Sequence, residues 1–209
     1  MCTERPGMVT LLGGLRCSID RGLGAFDNAD TVIVPTWPRR TKPSPAVIAV
    51  LQRAHHRGAR MVSFCSGAFA LAAAGLLDGR PATTRWNAAD ELHRRHASIH
   101  LDPGVLYVDD GEVLTSVGSA AGIDLAIHLI GRDYGSRIAN LVAREMVVAP
   151  HRQGGQAQVR GIAGNGVRRR SRIERNTGLD RLTSRSGSVA VRHGLAFEHE
   201  HPPLQPSLR

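Results

Sequence analysis

The sequence lacks the features that mark membrane, secreted and metal-binding proteins. It has no run of about 18 apolar residues, so no transmembrane helix is expected. The first residues, Met1 to Pro6, do not show the basic and then apolar layout of a secretory signal. Its three cysteines, Cys2, Cys17 and Cys65, are widely spaced and form neither a disulfide framework nor a zinc pattern. These absences predict a cytoplasmic protein with reduced thiols, no metal, no cofactor and no membrane contact.

The net charge of +9 is unevenly distributed along the 209 residues. Residues 1–158 hold 17 Lys and Arg against 14 Asp and Glu, whereas residues 159–209 hold 10 Arg against 4 acidic residues. The larger part is therefore nearly neutral, and its charge indicates no nucleic-acid partner. The 159–209 segment is Arg-rich and has no sustained apolar period, which predicts a tail that is disordered or frame-altered. Such a tail predicts at most weak, non-specific binding of nucleic acid.

An alternation of short apolar strands and amphipathic helices begins at Thr31. The β-branched run 31–35 predicts a strand, and Ser44 followed by Pro45 predicts a helix start, with Gly58 after the helix end. A second buried strand is predicted over 60–64 and an apolar helix over 68–77. This strand, helix, strand, helix order predicts an α/β fold with a parallel sheet covered on both faces.

The later pattern continues to Pro150. It predicts a short strand at 82–84, a polar helix over 87–96, two strands at 105–108 and 113–116 around a tight turn, an apolar helix over 122–130 and a last helix from Ser136. Within the apolar helix, His128 is expected to be a core residue with its polar atoms satisfied. Asp124, near the start of that helix, is expected to complement the helix dipole.

Cys65 occupies the position where chemistry is most strongly indicated. It stands between the predicted strand 60–64 and the helix that begins after Ser66-Gly67. A cysteine at such a sharp strand-to-helix junction is the thiol counterpart of a nucleophile elbow, and the amino end of a helix stabilises a thiolate. Gly67 is expected to allow the tight turn. The alternative is an inert, buried cysteine at a strand end.

Several motifs, in the right order, resemble the ThiJ/PfpI domain found at the front of AraC-type transcription regulators. They are Phe64-Cys65-Ser66-Gly67-Ala68-Phe69, the stretch 72–86 ending in Thr83-Thr84-Arg85-Trp86, the stretches 105–111 and 115–125, and the stretch 148–158 ending in Gly154-Gly155-Gln156-Ala157-Gln158. The resemblance covers roughly residues 3–158. It implies a flavodoxin-like three-layer sandwich formed by residues 1–158.

The resemblance also implies a ligand pocket above Cys65. Its expected ligand-binding residues are Ser66, Gly67, Trp86, Asn87, Gly118 and Ser119, with Cys65 as the catalytic candidate. For Trp86 a packing role is an equal alternative.

The chain departs from the family pattern in three places. Arg85 stands where related enzymes have His, and Ser66 stands where some of them have a His directly after the Cys. Family members begin with a strand and a helix that carry a Glu beside the Cys, whereas here residues 2–7 are interpreted as the interior of the family's second strand and turn. After Gln158 no AraC-type helix-turn-helix pair is recognised. We therefore expect a domain that is truncated at its amino terminus and lacks the helix-turn-helix.

Three functions remain open at this stage. The first is a non-catalytic, ligand-sensing and dimerising domain related to AraC-type regulators, which has a small-molecule effector and forms a homodimer. Sequence-specific DNA binding is not expected of this chain. The second is a Cys-dependent hydrolase, hydratase or amidotransferase-like enzyme that uses Cys65. The third is a pseudogene product that exposes apolar sheet surface and aggregates.

Overall fold

The structure, a computed structural model, describes residues 1–10, 14–149, 152, 154–156 and 190–192. The strands are β1 (Gly7–Thr10), β2 (Arg16–Ile19), β3 (Thr31–Val34), β4 (Arg60–Phe64), β5 (Pro81–Ala82), β6 (His100–Leu101), β7 (Tyr107–Asp110), β8 (Val113–Ser116) and β9 (Ala190–Arg192). The α-helices are α1 (Pro45–His56), α2 (Ala68–Ala73), α3 (Trp86–Arg95), α4 (Ala120–Tyr134) and α5 (Ser136–Glu145). Across these ranges, no helix combines the length and apolar character needed to cross a membrane.

The central sheet has five strands in the order β7, β8, β4, β3, β9. Strands β3, β4 and β8 are parallel, but β7 and β9 run antiparallel to their neighbours. The predicted parallel sheet is therefore parallel only at its centre. The antiparallel edge strand β7 follows from the tight turn that joins it to β8, because Asp110 pairs with Val113 across only two residues.

Helices cover both faces of this sheet, as the sequence predicts. Alternate residues of the strands point to opposite faces. On one face, Val32, Val34 and Met61 belong to the same apolar cluster as residues of α1, α2 and α3. On the other face, Val62 and Leu114 pack in a cluster with Leu125 and Leu129 of α4. The three-layer α/β architecture is confirmed.

Helix α1 shows how closely local signals determine one element. The Ser44 hydroxyl accepts a hydrogen bond from the Val47 N–H at 3.2 Å, and Pro45 is the first helical residue. After the helix, Gly58 has φ +93° and its N–H donates to the His55 carbonyl at 2.8 Å. The predicted start and end of this helix are confirmed.

Several expectations about local structure need correction. The first strand is not at Thr31, because β1 and β2 form an antiparallel hairpin before it. Residues 2–7, interpreted as a strand interior and turn, contain only the isolated bridge residue Cys2 before β1 begins at Gly7. Helix α2 ends at Ala73 rather than at residue 77. The short strands predicted at 82–84 and at 105–108 are β5, at Pro81–Ala82, and β7, at Tyr107–Asp110.

Most of the 159–209 segment, for which the sequence predicts disorder, lies outside the described residues. The three residues that are described, Ala190–Arg192, form β9 and pair antiparallel with β3. This strand was not predicted from the sequence.

A cavity of about 400 Å³ opens beside α4, over β3 and β4. Its apolar lining includes Ile33, Phe64 and Leu129. At its rim, the Arg60 guanidinium donates to the Asp133 carboxylate at 2.8 and 2.6 Å. The ion pair therefore links β4 to the end of α4 at the margin of the cavity.

Candidate functional site

Cys65 lies at the sharp junction that the sequence predicts. It follows β4 directly and begins a single 3-10 turn, Cys65–Gly67, which leads into α2. Its φ angle of 53° lies in the left-handed region, which is uncommon for a residue other than glycine. The side chain is only partly buried. The elbow conformation is thus confirmed, while a catalytic role for Cys65 stays a prediction.

Two glycines make this elbow sterically possible. A Cβ atom on Gly67 would lie 2.0 Å from the carbonyl oxygen of Val34 in the neighbouring strand. Because the φ of Gly67 is −56°, glycine is required here by the close contact with Val34 and not by an unusual backbone conformation. A Cβ atom on Gly118, whose φ is +84°, would lie 2.5 Å from the Cβ of Cys65. The loop before α4 therefore lies directly against the cysteine.

Hydroxyl groups hold the elbow from two sides. The Ser66 Oγ shares a hydrogen bond with the Thr36 Oγ1 at 2.9 Å and accepts one from the Trp37 N–H at 3.2 Å. The Thr84 hydroxyl donates to the carbonyl oxygen of Cys65 at 2.8 Å. Thr36, Trp37 and Thr84 were not among the predicted site residues, because each lies about 20 to 30 positions from the elbow in sequence.

Arg85 and Ser119 form the other side of the site. The Arg85 guanidinium donates to the Ser119 Oγ at 3.1 Å. Ser119 itself has φ 53° and is the residue before α4, next to Gly118. The structure thus brings four of the six predicted ligand-binding residues, Ser66, Gly67, Gly118 and Ser119, into one elbow region with Cys65. Their binding role stays a prediction.

The remaining two predicted residues open α3. Trp86 is 50% exposed, so it is not a core residue, and both its ligand-binding role and its packing alternative stay predictions. The Asn87 side chain is also exposed, and its backbone carbonyl accepts a hydrogen bond from Arg39 at 3.3 Å. Both residues lie at the surface, directly after Arg85 in the chain.

A separate polar cluster joins β7 to α4. The His128 Nε2 lies 2.6 Å from an oxygen of Asp109, and Arg132 donates to both oxygens of that carboxylate at 2.7 and 2.9 Å. His128 is thus a partly exposed partner of Asp109 and not the core residue that was expected. Burial opposes ionisation of Asp109, but the bonds from His128 and the Gly111 N–H and the Arg132 charge outweigh it, so the pKa of Asp109 is lowered.

Asp124 also has a different role from the predicted one. Its side chain is almost fully buried, and the Arg152 guanidinium lies 3.4 Å from its carboxylate. Burial raises the pKa of Asp124, and the Arg152 charge opposes that rise. The expected dipole-complementing aspartate is therefore an ion-pair partner for a residue 28 positions further along the chain.

In the part of the chain that the structure describes, no three His, Cys, Asp or Glu side chains are grouped so that they could hold a metal ion. The side chains in hydrogen-bond contact around the elbow are hydroxyls and a guanidinium. These groups can bind and orient a small polar molecule, but a guanidinium does not accept a proton at neutral pH.

Comparisons with known proteins agree with this architecture. The profile of the DJ-1/PfpI family matches residues 2–132. The HTH-type transcriptional regulator CdhR of Pseudomonas aeruginosa is 29% identical over 143 residues, which are 68% of this chain and 42% of CdhR. The isonitrile hydratase of Pseudomonas putida is 39% identical over 90 residues, which are 43% of this chain and 38% of that enzyme. The chain thus spans less than half the length of these curated relatives.

A solved structure supports the fold. The crystal structure of an AraC family transcriptional regulator from Pseudomonas putida superposes with a TM-score of 0.62 at 20% sequence identity. The superposition covers 69% of this chain and 78% of the other. At so low an identity, the likeness establishes a common fold and nothing finer.

Proposed function

Because this chain belongs to the DJ-1/PfpI family, we propose that it is the ligand-sensing domain of a transcription regulator and acts in the cytoplasm without catalysing a reaction. The support from relatives is that CdhR, which matches 68% of the chain, is an HTH-type transcriptional regulator. The support from the site is that Cys65 has the elbow conformation, while the hydroxyls and the guanidinium around it can bind a small polar molecule.

The observation that carries the proposal is the contact between Arg85 and Ser119. By the family resemblance of its sequence, the position of Arg85 corresponds to a histidine of related enzymes, and here it holds a guanidinium that bonds to a serine hydroxyl at 3.1 Å. An imidazole at that position can take a proton from a thiol, but a guanidinium cannot. The elbow therefore retains the shape of a nucleophile site and replaces a proton acceptor with a fixed positive charge.

The proposal is tested by protection of Cys65 from alkylation. A collection of amino acids and small organic acids is added singly to the purified protein, and N-ethylmaleimide labelling is followed at each cysteine by mass spectrometry. A ligand that binds at the elbow slows labelling of Cys65 and leaves Cys17, in the β1–β2 hairpin, unchanged. If every compound leaves both rates unchanged or slows them equally, the proposed sensing role is contradicted for the compounds in the collection.

The proposal includes self-association into a homodimer, since two-fold dimers are the commonest oligomers of soluble proteins. Sedimentation velocity at micromolar concentration, with and without a compound that protects Cys65, measures the oligomeric state. A dimer is expected. A monomer under both conditions contradicts this part of the proposal and leaves the ligand-sensing part standing.

A Cys-dependent enzyme is the second candidate. It is favoured by the left-handed backbone at Cys65, because such strained conformations cluster at active sites, and by the likeness to isonitrile hydratase over 90 residues. The test incubates the protein with cyclohexyl isocyanide and looks for the formamide by chromatography, using Cys65→Ala as the control. Turnover that disappears in the variant establishes the enzyme and contradicts the non-catalytic proposal.

A further inference from the structure

We propose that Arg85 is a specificity-determining residue that makes the elbow site select carboxylate ligands over neutral ones. This inference rests on the proposed function, because it names the ligand class of the same site.

Two contacts place Arg85 across the mouth of the elbow. The residue before it, Thr84, bonds to the Cys65 carbonyl at 2.8 Å, so the backbone at Arg85 is held beside the cysteine. The guanidinium then reaches Ser119 at 3.1 Å, and Ser119 follows Gly118, which lies against Cys65. The side chain of Arg85 is thus anchored at both ends beside Cys65, whose thiol is partly buried.

The positive charge of Arg85 is not neutralised by this anchor. Ser119 is an uncharged partner, and among the described residues no carboxylate is paired with Arg85. Further along α3, Glu91 is paired with two other arginines, Arg39 at 3.7 Å and Arg95 at 2.7 Å. The described residues therefore contain no ion pair that offsets the charge of Arg85.

The amino ends of the two helices that Arg85 bridges add to the positive charge of its guanidinium. Arg85 is the N-cap of α3 and Ser119 is the N-cap of α4, and neither helix has a side-chain cap or an acidic residue in its first turn. The amino ends of helices carry partial positive charge, which acidic side chains usually complement. The guanidinium held by Ser119, and not the helix ends, is the feature specific to this site.

A carboxylate matches the donors that remain. A guanidinium has five N–H donors in a planar fork, and the Ser119 hydroxyl uses one of its nitrogens. The free edge of the fork suits the two oxygens of one carboxylate, whose charge it balances. Trp86, the next residue, is half exposed and offers an apolar surface for the organic part of such a ligand.

Iodoacetate and iodoacetamide test this directly, because they are nearly the same size and differ in charge. Each alkylates a cysteine by displacing iodide, and the rate at Cys65 is measured by mass spectrometry in the intact protein. The ratio of the iodoacetate rate to the iodoacetamide rate is expected to be higher at Cys65 than at Cys17. Arg85→Gln is expected to lower the Cys65 ratio about tenfold, the size of one charge-assisted hydrogen bond, and any change in the thiolate fraction cancels in that ratio because it affects both reagents alike.

Two further variants sharpen the result. Arg94→Gln removes the same charge from an exposed position on the same helix and is expected to leave the ratio unchanged. Arg85→Lys keeps the charge without the fork and is expected to retain part of the preference. An unchanged ratio in Arg85→Gln, whether both rates stay the same or fall equally, would overturn the inference.

The ligand class is tested by competition. Acetate and inorganic phosphate are compared, at matched ionic strength, as protectors of Cys65 against iodoacetamide. Stronger protection by acetate is expected, and stronger protection by phosphate contradicts the choice of a carboxylate. If metabolites protect Cys65 but Arg85→Gln leaves the ratio of the iodoacetate rate to the iodoacetamide rate unchanged, this inference fails and the proposed sensing function stands. If Cys65 reacts with neither reagent, the elbow is closed to small molecules and both fail.

Discussion

Gly118 lies against Cys65 so closely that a Cβ atom on Gly118 would be 2.5 Å from the Cβ of Cys65 and 3.1 Å from its backbone nitrogen. Real Cβ atoms do not approach so closely, and the φ of +84° at Gly118 is itself unfavourable for other residues. The contact couples the loop before α4 to the elbow after β4. These two segments, 53 positions apart, therefore behave as one steric unit.

The first prediction concerns that contact. Gly118→Ala is expected to destabilise the fold by about 1–3 kcal/mol, through overpacking against Cys65 and backbone strain. For a domain of this size the melting temperature falls by roughly 2–4 °C per kcal/mol, so calorimetry detects the change easily.

Gly131→Ala is the matched control for Gly118→Ala. Gly131 lies inside α4, and its added Cβ would be at an ordinary 3.7 Å from Ala139. This change is expected to stabilise the helix by about 0.5–1 kcal/mol. Equal effects of the two substitutions would show that the contact with Cys65 has no steric importance.

The second prediction concerns Thr84. Thr84→Val keeps the shape of the side chain but removes the hydroxyl that donates to the Cys65 carbonyl. A loss of about 1–3 kcal/mol in unfolding free energy is expected, because a part-buried acceptor loses its donor. Alkylation of Cys65 should also change in rate, since the elbow is no longer held from that side.

Thr36→Val is the comparison for Thr84→Val. Its hydroxyl bonds to Ser66 rather than to Cys65, and Thr36 is exposed, so a smaller loss of stability is expected. An unaltered Cys65 alkylation rate in Thr84→Val would mean that this hydrogen bond does not position the cysteine.

The elements confirmed from sequence are those with strong local signals. Helix α1 could be predicted to the residue, because its cap, its first-turn proline and its closing glycine are all local. The β1–β2 hairpin could not, since its strands are four residues long and mostly exposed, and they therefore carry no alternating apolar pattern. Short exposed strands are specified by pairing partners, which the local sequence does not show.

The same distinction between local and long-range signals applies to the candidate site. The sharp turn at Cys65 was predictable from a buried strand that ends at a small-residue helix start. Partners that come from distant segments were not. The apolar sequence neighbours of His128 predict a core residue, yet its partner Asp109 lies 19 positions away. The place of Asp124 near a helix start predicts that it complements the helix dipole, although its partner is Arg152.

The third prediction is a pH dependence that arises from Asp109. Because the pKa of Asp109 is lowered in the folded state, its stabilising contribution is present above the ordinary aspartate pKa of about 4 and is lost as the pH falls through the lowered folded value. Asp109→Asn is therefore expected to cost about 1–2 kcal/mol at pH 7, a moderate value because its partners are partly exposed.

Urea unfolding from pH 7 to pH 3 measures this difference. The gap between the parent protein and Asp109→Asn should narrow below pH 4 as Asp109 takes up a proton. Asp90→Asn, at an exposed position of α3, is the control and should follow the parent at every pH. A gap that stays constant down to pH 3 would rule out ionised Asp109 as its source.

The fourth prediction concerns the segment that contains Arg152 and Gly154. The Gly154 carbonyl accepts a hydrogen bond from the Leu106 N–H at 2.7 Å, and the Tyr107 hydroxyl donates to the Arg152 carbonyl at 3.2 Å. A Cβ atom on Gly154 would lie 2.5 Å from the Tyr107 carbonyl oxygen. Gly154→Ala is therefore expected to lift this segment from β7 and to separate Arg152 from Asp124.

Limited trypsin digestion measures that release, because trypsin cuts after arginine and Arg152 is engaged in the folded protein. Cleavage after Arg152 should be several times faster in Gly154→Ala than in the parent, provided that cutting requires local opening. Gly155→Ala is the control, since nothing lies within 4 Å of its added Cβ. If both variants are cut at the same rate, the close approach of Gly154 to the Tyr107 carbonyl is not what holds the segment, and its hydrogen bonds and the Arg152–Asp124 ion pair must account for its attachment.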